Sequence, residues 1–147
     1  LASEVQKNQF ASATQMTARN LYAQPVMDPQ AEQWYAQSLP KFLANYDYTA
    51  LMAMPFMESA TMPDRWLTEL YEKVAAQPLG IQKTVFELQS YDWAKKRPVG
   101  NDVLLHQLTL LRALGARHLG YYPDDFITNQ PDTEVIRPLM SAQSNVI

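Results

Sequence analysis

Four carboxylates and five aromatic side chains are the residues with chemistry to offer. Glu58, Glu87, Asp124 and Asp125 each fall at or near the end of an apolar run, accompanied by Tyr22, Phe56, Trp93, Tyr121 and Tyr122. Acids beside aromatic rings suit carbohydrate. The C–H face of a sugar packs on a ring, while a carboxylate accepts from hydroxyl or ammonium groups. Two carboxylates are also the working pair of glycoside hydrolysis, one as acid and one as base or nucleophile. Glu87 stands among Val85, Phe86 and Leu88, where an unpaired buried carboxylate would cost several kcal/mol. It needs a partner or a wet cleft. Asp28 reads instead as a helix cap, and Asp124 or Asp125 would serve equally as a turn cap after Pro123. Trp34 and Trp66 fall on helical apolar stripes and read as core. Trp93 lies outside any stripe and suits a ligand platform as well as packing.

These residues need elements to hold them. Tyr48-Thr-Ala-Leu-Met-Ala-Met-Pro-Phe-Met-Glu58 is an apolar run of the kind buried on both faces of a parallel sheet. Pro55 lacks the N–H a sheet ladder requires, so the strand should end there and leave Glu58 in the following loop. Arg19-Asn-Leu-Tyr-Ala-Gln-Pro25, Thr84-Val-Phe-Glu-Leu-Gln89 and Arg117-His-Leu-Gly-Tyr-Tyr-Pro123 read as further strands. Three of the four share a frame, with Leu21, Leu51 or Leu119 four positions before a proline and an acid soon after it. Pro25 and Pro55 lie 30 positions apart, and Pro55 and Pro123 lie 68 apart, near the size of one and two βαβ units.

Helices fill the intervals. Asp28-Pro29 starts one whose stripe runs Trp34, Tyr35, Leu39, Phe42, Leu43 and Tyr46, divided or kinked at Pro40. Thr61-Met-Pro-Asp64 resembles a capping box opening a helix through Trp66, Leu67, Leu70, Tyr71 and Val74. Asn101 is placed to cap a third helix, which Gly115 terminates, and Asp132 starts a last one over Thr133 to Met140. Residues 1–15 have room for a short helix. Alternating βα units predict an α/β fold with a parallel sheet. Four units make either a small open sheet or the second half of a (β/α)₈ barrel, which needs about 250 residues. A start at Leu1 rather than Met favours a trimmed piece and the half barrel.

Composition removes several classes. A net charge of −3 and a pI near 5.3 offer no footprint for nucleic acid, and Lys95-Lys96-Arg97 reads as a solvated loop. With no cysteine there is neither disulfide nor thiol chemistry. No apolar run reaches the roughly 18 residues of a membrane helix. His106 and His118 lack partners at metal-ligand spacing, the four glycines form no phosphate loop, and no serine sits in a nucleophile elbow. No cofactor is expected.

Long motifs carry a resemblance. Tyr48 through Glu58, Phe86-Glu-Leu-Gln89 with Trp93, Gly120-Tyr-Tyr-Pro-Asp-Asp-Phe126, Arg19 through Pro25 and Asn129-Gln-Pro131 together resemble the C-terminal glycoside hydrolase domain of bacterial poly-β-1,6-N-acetyl-D-glucosamine N-deacetylases. The resemblance implies a periplasmic, outer-membrane-associated protein of biofilm exopolysaccharide export. It would bind partially deacetylated polymer in an acidic, aromatic groove, with an outer-membrane porin as a further partner. It implies that residues 1–147 are the second half of a (β/α)₈ domain, and that the metal-dependent deacetylase domain and the first half of the barrel belong to the missing N-terminal part of the same protein. Carried over by position, Glu58, Glu87, Trp93, Tyr121, Tyr122 and Asp124 are the groove residues. The principal catalytic aspartate would lie upstream of Leu1, leaving Glu58 and Glu87 as supporting carboxylates and the segment alone inactive. Two rivals stay open: a non-catalytic polysaccharide-docking domain, and a small α/β domain that folds alone.

Overall fold

The structure, a computed structural model, describes residues 16–140. The short helix expected within residues 1–15 lies outside them. In chain order come β1 (Ala18–Tyr22), α1 (Gln24–Met27), a 3-10 turn (Pro29–Ala31), α2 (Glu32–Tyr35), α3 (Leu39–Asn45) and β2 (Tyr48–Met52). There follow α4 (Pro63–Ala75), α5 (Gly80–Lys83), β3 (Thr84–Gln89), β4 (Tyr91–Asp92), β5 (Arg97–Pro98), α6 (Asn101–Leu114), β6 (His118–Tyr122) and α7 (Thr133–Met140). Four strands form one parallel sheet in the order β1-β2-β3-β6, as the βα pattern predicts.

The repeated frame has a direct structural meaning. Leu21, Leu51, Phe86 and Leu119 are register partners across the sheet, so the frame's leucines form one layer. That layer faces the helices, meeting Leu67, Leu70 and Val74 from α4 and Leu104, Leu108 and Leu111 from α6 in the core. Side chains alternate between faces along a strand. Thr84, Phe86 and Leu88 are buried, whereas Val85 and Glu87 are only half-buried. β2 follows the same rule: Thr49 and Leu51 are buried, and Tyr48, Ala50 and Met52 are not. The expectation of burial on both faces is therefore corrected, because among the described residues helices cover one face only.

Several local expectations change as well. β2 stops at Met52 rather than Pro55, because the Ala53 N–H turns back to the Leu51 carbonyl at 2.8 Å, a γ-turn bond that ends the ladder. The first long helix is broken before Pro40: Ala36 adopts a left-handed conformation (φ 51°), and Pro40 lies in the first turn of α3. Trp34, expected in the core, is consequently 89% exposed. Trp66 does pack against the core. Asp64 makes no cap bond; its carboxylate meets His106 Nε2 at 2.7 Å, tying α4 to α6. Asn101 begins α6 without capping it and accepts from the Asp132 N–H. Gly115 ends α6 in the left-handed conformation, and Asp28 and Asp132 accept backbone N–H bonds in the turns they open.

Candidate functional site

Glu87 sits on the face the helices leave open. Its register layer there is Tyr22, Met52, Glu87 and Gly120. Gly120 places no side chain beside the carboxylate; a Cβ there would meet nothing nearer than Val85, at 3.5 Å. Two residues on, and so on the same face, Gln89 is completely buried. Its Oε1 accepts from the Phe56 and Met57 N–H groups, each at 2.9 Å, and its Nε2 donates to the Tyr91 carbonyl at 3.0 Å. One amide thus pins loop 53–60 against the end of β3. Glu58 follows directly after that pinned segment.

Both glutamates are half-buried, and burial raises the pKa of each above its ordinary value of 4.5. Among the described residues neither carboxylate takes part in an ion pair. Desolvated acids without cations are receptive to donors brought by a ligand.

A short antiparallel hairpin, β4 paired with β5, supplies the aromatic rim. Buried Asp92 shapes its turn by accepting from the Lys95 N–H at 3.0 Å. The Ser90 N–H donates to the Tyr122 carbonyl, the Ser90 hydroxyl donates to the Pro123 carbonyl, and the Val99 N–H donates to the Ser90 carbonyl. These bonds lock the hairpin to the end of β6. Trp93 then stacks on Tyr122, with centroids 6.4 Å apart and planes 27° apart, while Tyr91 meets Trp93 edge-on at 6.1 Å. Trp93 and Tyr122 keep 41% and 56% exposure, leaving ring surface free. Lys95, Lys96 and Arg97 are exposed on this hairpin.

The structure separates other residues that the sequence groups. Tyr121 is the register partner of Leu88, so it shares the helix-facing side and packs against the core. Tyr122 pairs with Gln89 on the open side. The Tyr121 hydroxyl reaches Asp124 Oδ1 at 3.4 Å, and burial, followed by that carboxylate's charge and hydrogen bond, raises the phenol's pKa. Asp124 itself is exposed. Asp125 is a turn residue: it accepts from the Thr128 hydroxyl at 2.7 Å and from the Ile127 and Thr128 N–H groups, and these bonds hold its pKa below the ordinary 3.8.

Phe56 is half-buried in the pinned loop, and Tyr22 stands at the β1 end with Tyr35, their ring centroids 5.3 Å apart. Among the described residues no group of three or more His, Asp or Glu side chains is arranged to hold a metal ion. Sequence reasoning missed the positioning role of Gln89. Its signal was available as a polar residue two positions from Glu87 in an apolar strand. Asp92 and the hairpin it shapes gave none, because two-residue strands carry no periodicity.

Known proteins share this arrangement of chain. Residues 1–122 match the model of the family described as "Hypothetical glycosyl hydrolase family 13". The chain is 40% identical over 130 residues to poly-beta-1,6-N-acetyl-D-glucosamine N-deacetylase from Escherichia coli K12, and equally to that of Escherichia coli O157:H7. Those alignments cover 85% of this chain and 19% of each relative, so the chain spans about a fifth of their length. Among solved structures, the PgaB (BpsB) glycoside hydrolase domain from Bordetella bronchiseptica superposes with a TM-score of 0.87 and 52% identity, over 90% of this chain and 37% of that one. The resemblance seen in the motifs is thereby borne out. No helix among the described residues is long and apolar enough to cross a membrane.

Proposed function

This chain belongs to hypothetical glycosyl hydrolase family 13, and we propose that it contributes one wall of a groove that binds and processes partially deacetylated poly-β-1,6-N-acetyl-D-glucosamine. The observation that carries this reading is Glu87, held half-buried on the open sheet face, without an ion-pair partner among the described residues and near a stacked Trp93–Tyr122 rim. Trp93 and Tyr122 pack on sugar rings. Glu87 and Glu58 accept hydrogen bonds from hydroxyl and glucosamine ammonium groups, which offset the burial both acids endure. Glu58 and Glu87, whose pKa values burial raises, stand beside the glycosidic bond as supporting carboxylates. Asp124 lies beyond the end of β6 and engages ligand from the rim.

In this reading residues 1–147 complete a (β/α)₈ barrel whose preceding half supplies the principal catalytic aspartate. Among the described residues no strand pairs with the outer edge of β1 or β6, which favours it, since parallel strands are ordinarily covered on both sides. The name of the Escherichia coli relatives supports the polymer, and that of the Bordetella bronchiseptica domain supports its hydrolysis. We extend the same reading to a place in the periplasm at the outer membrane, beside an export porin.

The test uses the full-length protein. Trp93→Ala and Asp124→Asn should each weaken binding of partially deacetylated oligomers, by about 10-fold for the tryptophan. Unchanged affinity in both variants refutes the site. Mass spectrometry of the polymer after incubation should show cleavage; tight binding without cleavage would instead assign a docking domain.

A further inference from the structure

We propose that Tyr22 and Tyr35 form a second ring-binding subsite at the β1 end of the groove, engaged only by longer sugar chains. The proposal rests on the carbohydrate reading above and extends it to residues at the far side of the sheet.

Three observations converge there. Tyr22 belongs to the same open-face layer as Glu87, two strands away on β1, the sheet edge opposite β6 and its Trp93–Tyr122 rim. Its ring lies 5.3 Å from that of Tyr35 at an angle of 52°, and the two keep 42% and 40% of their surface exposed. A tilted pair of half-exposed rings forms an open corner that can receive the C–H face or the ammonium group of a glucosamine ring.

The corner is also built. After the single turn of α2, left-handed Ala36 reverses the chain. Gln37 then reaches back to β1, where its Oε1 accepts from the Tyr22 N–H at 3.0 Å and its Nε2 approaches the Asn20 carbonyl at 3.5 Å. Thr17 bonds to β2 through its carbonyl, so by alternation Asn20 and Tyr22 direct their backbone groups to the outer edge. The Gln37 amide therefore occupies the place of a neighbouring strand's peptide. It fixes the end of β1 and brings Tyr35 against Tyr22.

The spacing sets the ligand. From β1 to β6 there are three strand-to-strand steps, about 14 Å at roughly 4.8 Å each. One sugar ring cannot touch both Tyr22 and Tyr122, but a linked chain crossing Met52 and Glu87 can.

The experiment measures, in the full-length protein, the affinity of glucosamine oligomers of increasing length. Trp93→Ala should weaken short and long oligomers alike. Tyr35→Ala and Tyr22→Ala should weaken only the long ones, by about 5- to 10-fold, and Tyr35→Phe should restore the wild-type length dependence. If wild type binds and Trp93→Ala weakens it, yet Tyr35→Ala leaves the length dependence unchanged, the second subsite is refuted and the groove stands. If wild type binds no oligomer, both readings fall. Should the alanine variants unfold, ring-proton shifts of Tyr35 in wild type decide: movement with long but not short oligomers supports the subsite, and no movement overturns it.

Discussion

Replacing Gln89 with leucine keeps the volume near β3 but removes three hydrogen bonds from a side chain with no exposed surface. The Phe56 and Met57 N–H groups lose their common acceptor, and the Tyr91 carbonyl loses its donor. A buried polar group stripped of its partner costs about 1–3 kcal/mol. Phe56 is half-buried and Met57 is 38% exposed, so water recovers part of that loss in the loop, and the total should be about 2–4 kcal/mol. Urea unfolding of the two proteins gives the difference directly, at unchanged m. Because the same amide pins the segment that precedes Glu58, oligosaccharide affinity should fall with stability. Gln89→Glu sharpens the test. At neutral pH it keeps an acceptor for the two loop N–H groups but buries a charge and offers no donor to Tyr91. Near pH 4 its protonated form regains a donor, so its deficit should shrink on acidification. A loss below about 0.5 kcal/mol in Gln89→Leu, with binding intact, would refute the idea that this residue positions the loop.

The remaining predictions concern pH, buried hydroxyls and the repeated frame. Burial lifts Glu58 and Glu87 above 4.5, so the folded state holds protons the unfolded chain has released, and stability should decline as pH rises from 4.5 through their folded values. Glu87→Gln should therefore raise the melting temperature at pH 7 while weakening ligand binding; a lowered melting temperature would contradict the burial argument. Asp47, held low by hydrogen bonds from Thr17, and Asp125, held low by Thr128, act oppositely. Their contributions exist above 3.8 and vanish as pH falls through their folded values, placing maximal stability in mild acid. Thr49 and Thr84 are register partners whose buried hydroxyls have no hydrogen-bond partner among the described residues. Valine at either position should be neutral or stabilising by about 1 kcal/mol, and a clear loss in calorimetry would reveal a hidden bond. Leu51→Ala, in the centre of the leucine layer, should cost about 2–5 kcal/mol in the same measurement.

The acids and strands of this protein were legible because their causes are local. A leucine four positions before a proline, with an acid beyond, marks a strand that must end and a side chain left at its edge. The frame recurs in register across β1, β2 and β6. Period two along β3 already puts Glu87 and Gln89 on one face, opposite Phe86 and Leu88. Which of two adjacent tyrosines joins them was a different kind of question. Tyr121 and Tyr122 must point to opposite sides, but only the pairing of Leu88 with Tyr121 assigns Tyr122 to the open face. The same holds for Trp34, exposed because Ala36 turns left-handed with no glycine or asparagine to announce it, and because Gln37 finds its partners on β1. Sequence alone determined the alternating βα order and the acids near the strand ends, through side-chain alternation and the turn residues that follow each apolar run. Tertiary structure decided which rings meet, because register and long-range side-chain bonds join segments that carry no local record of one another.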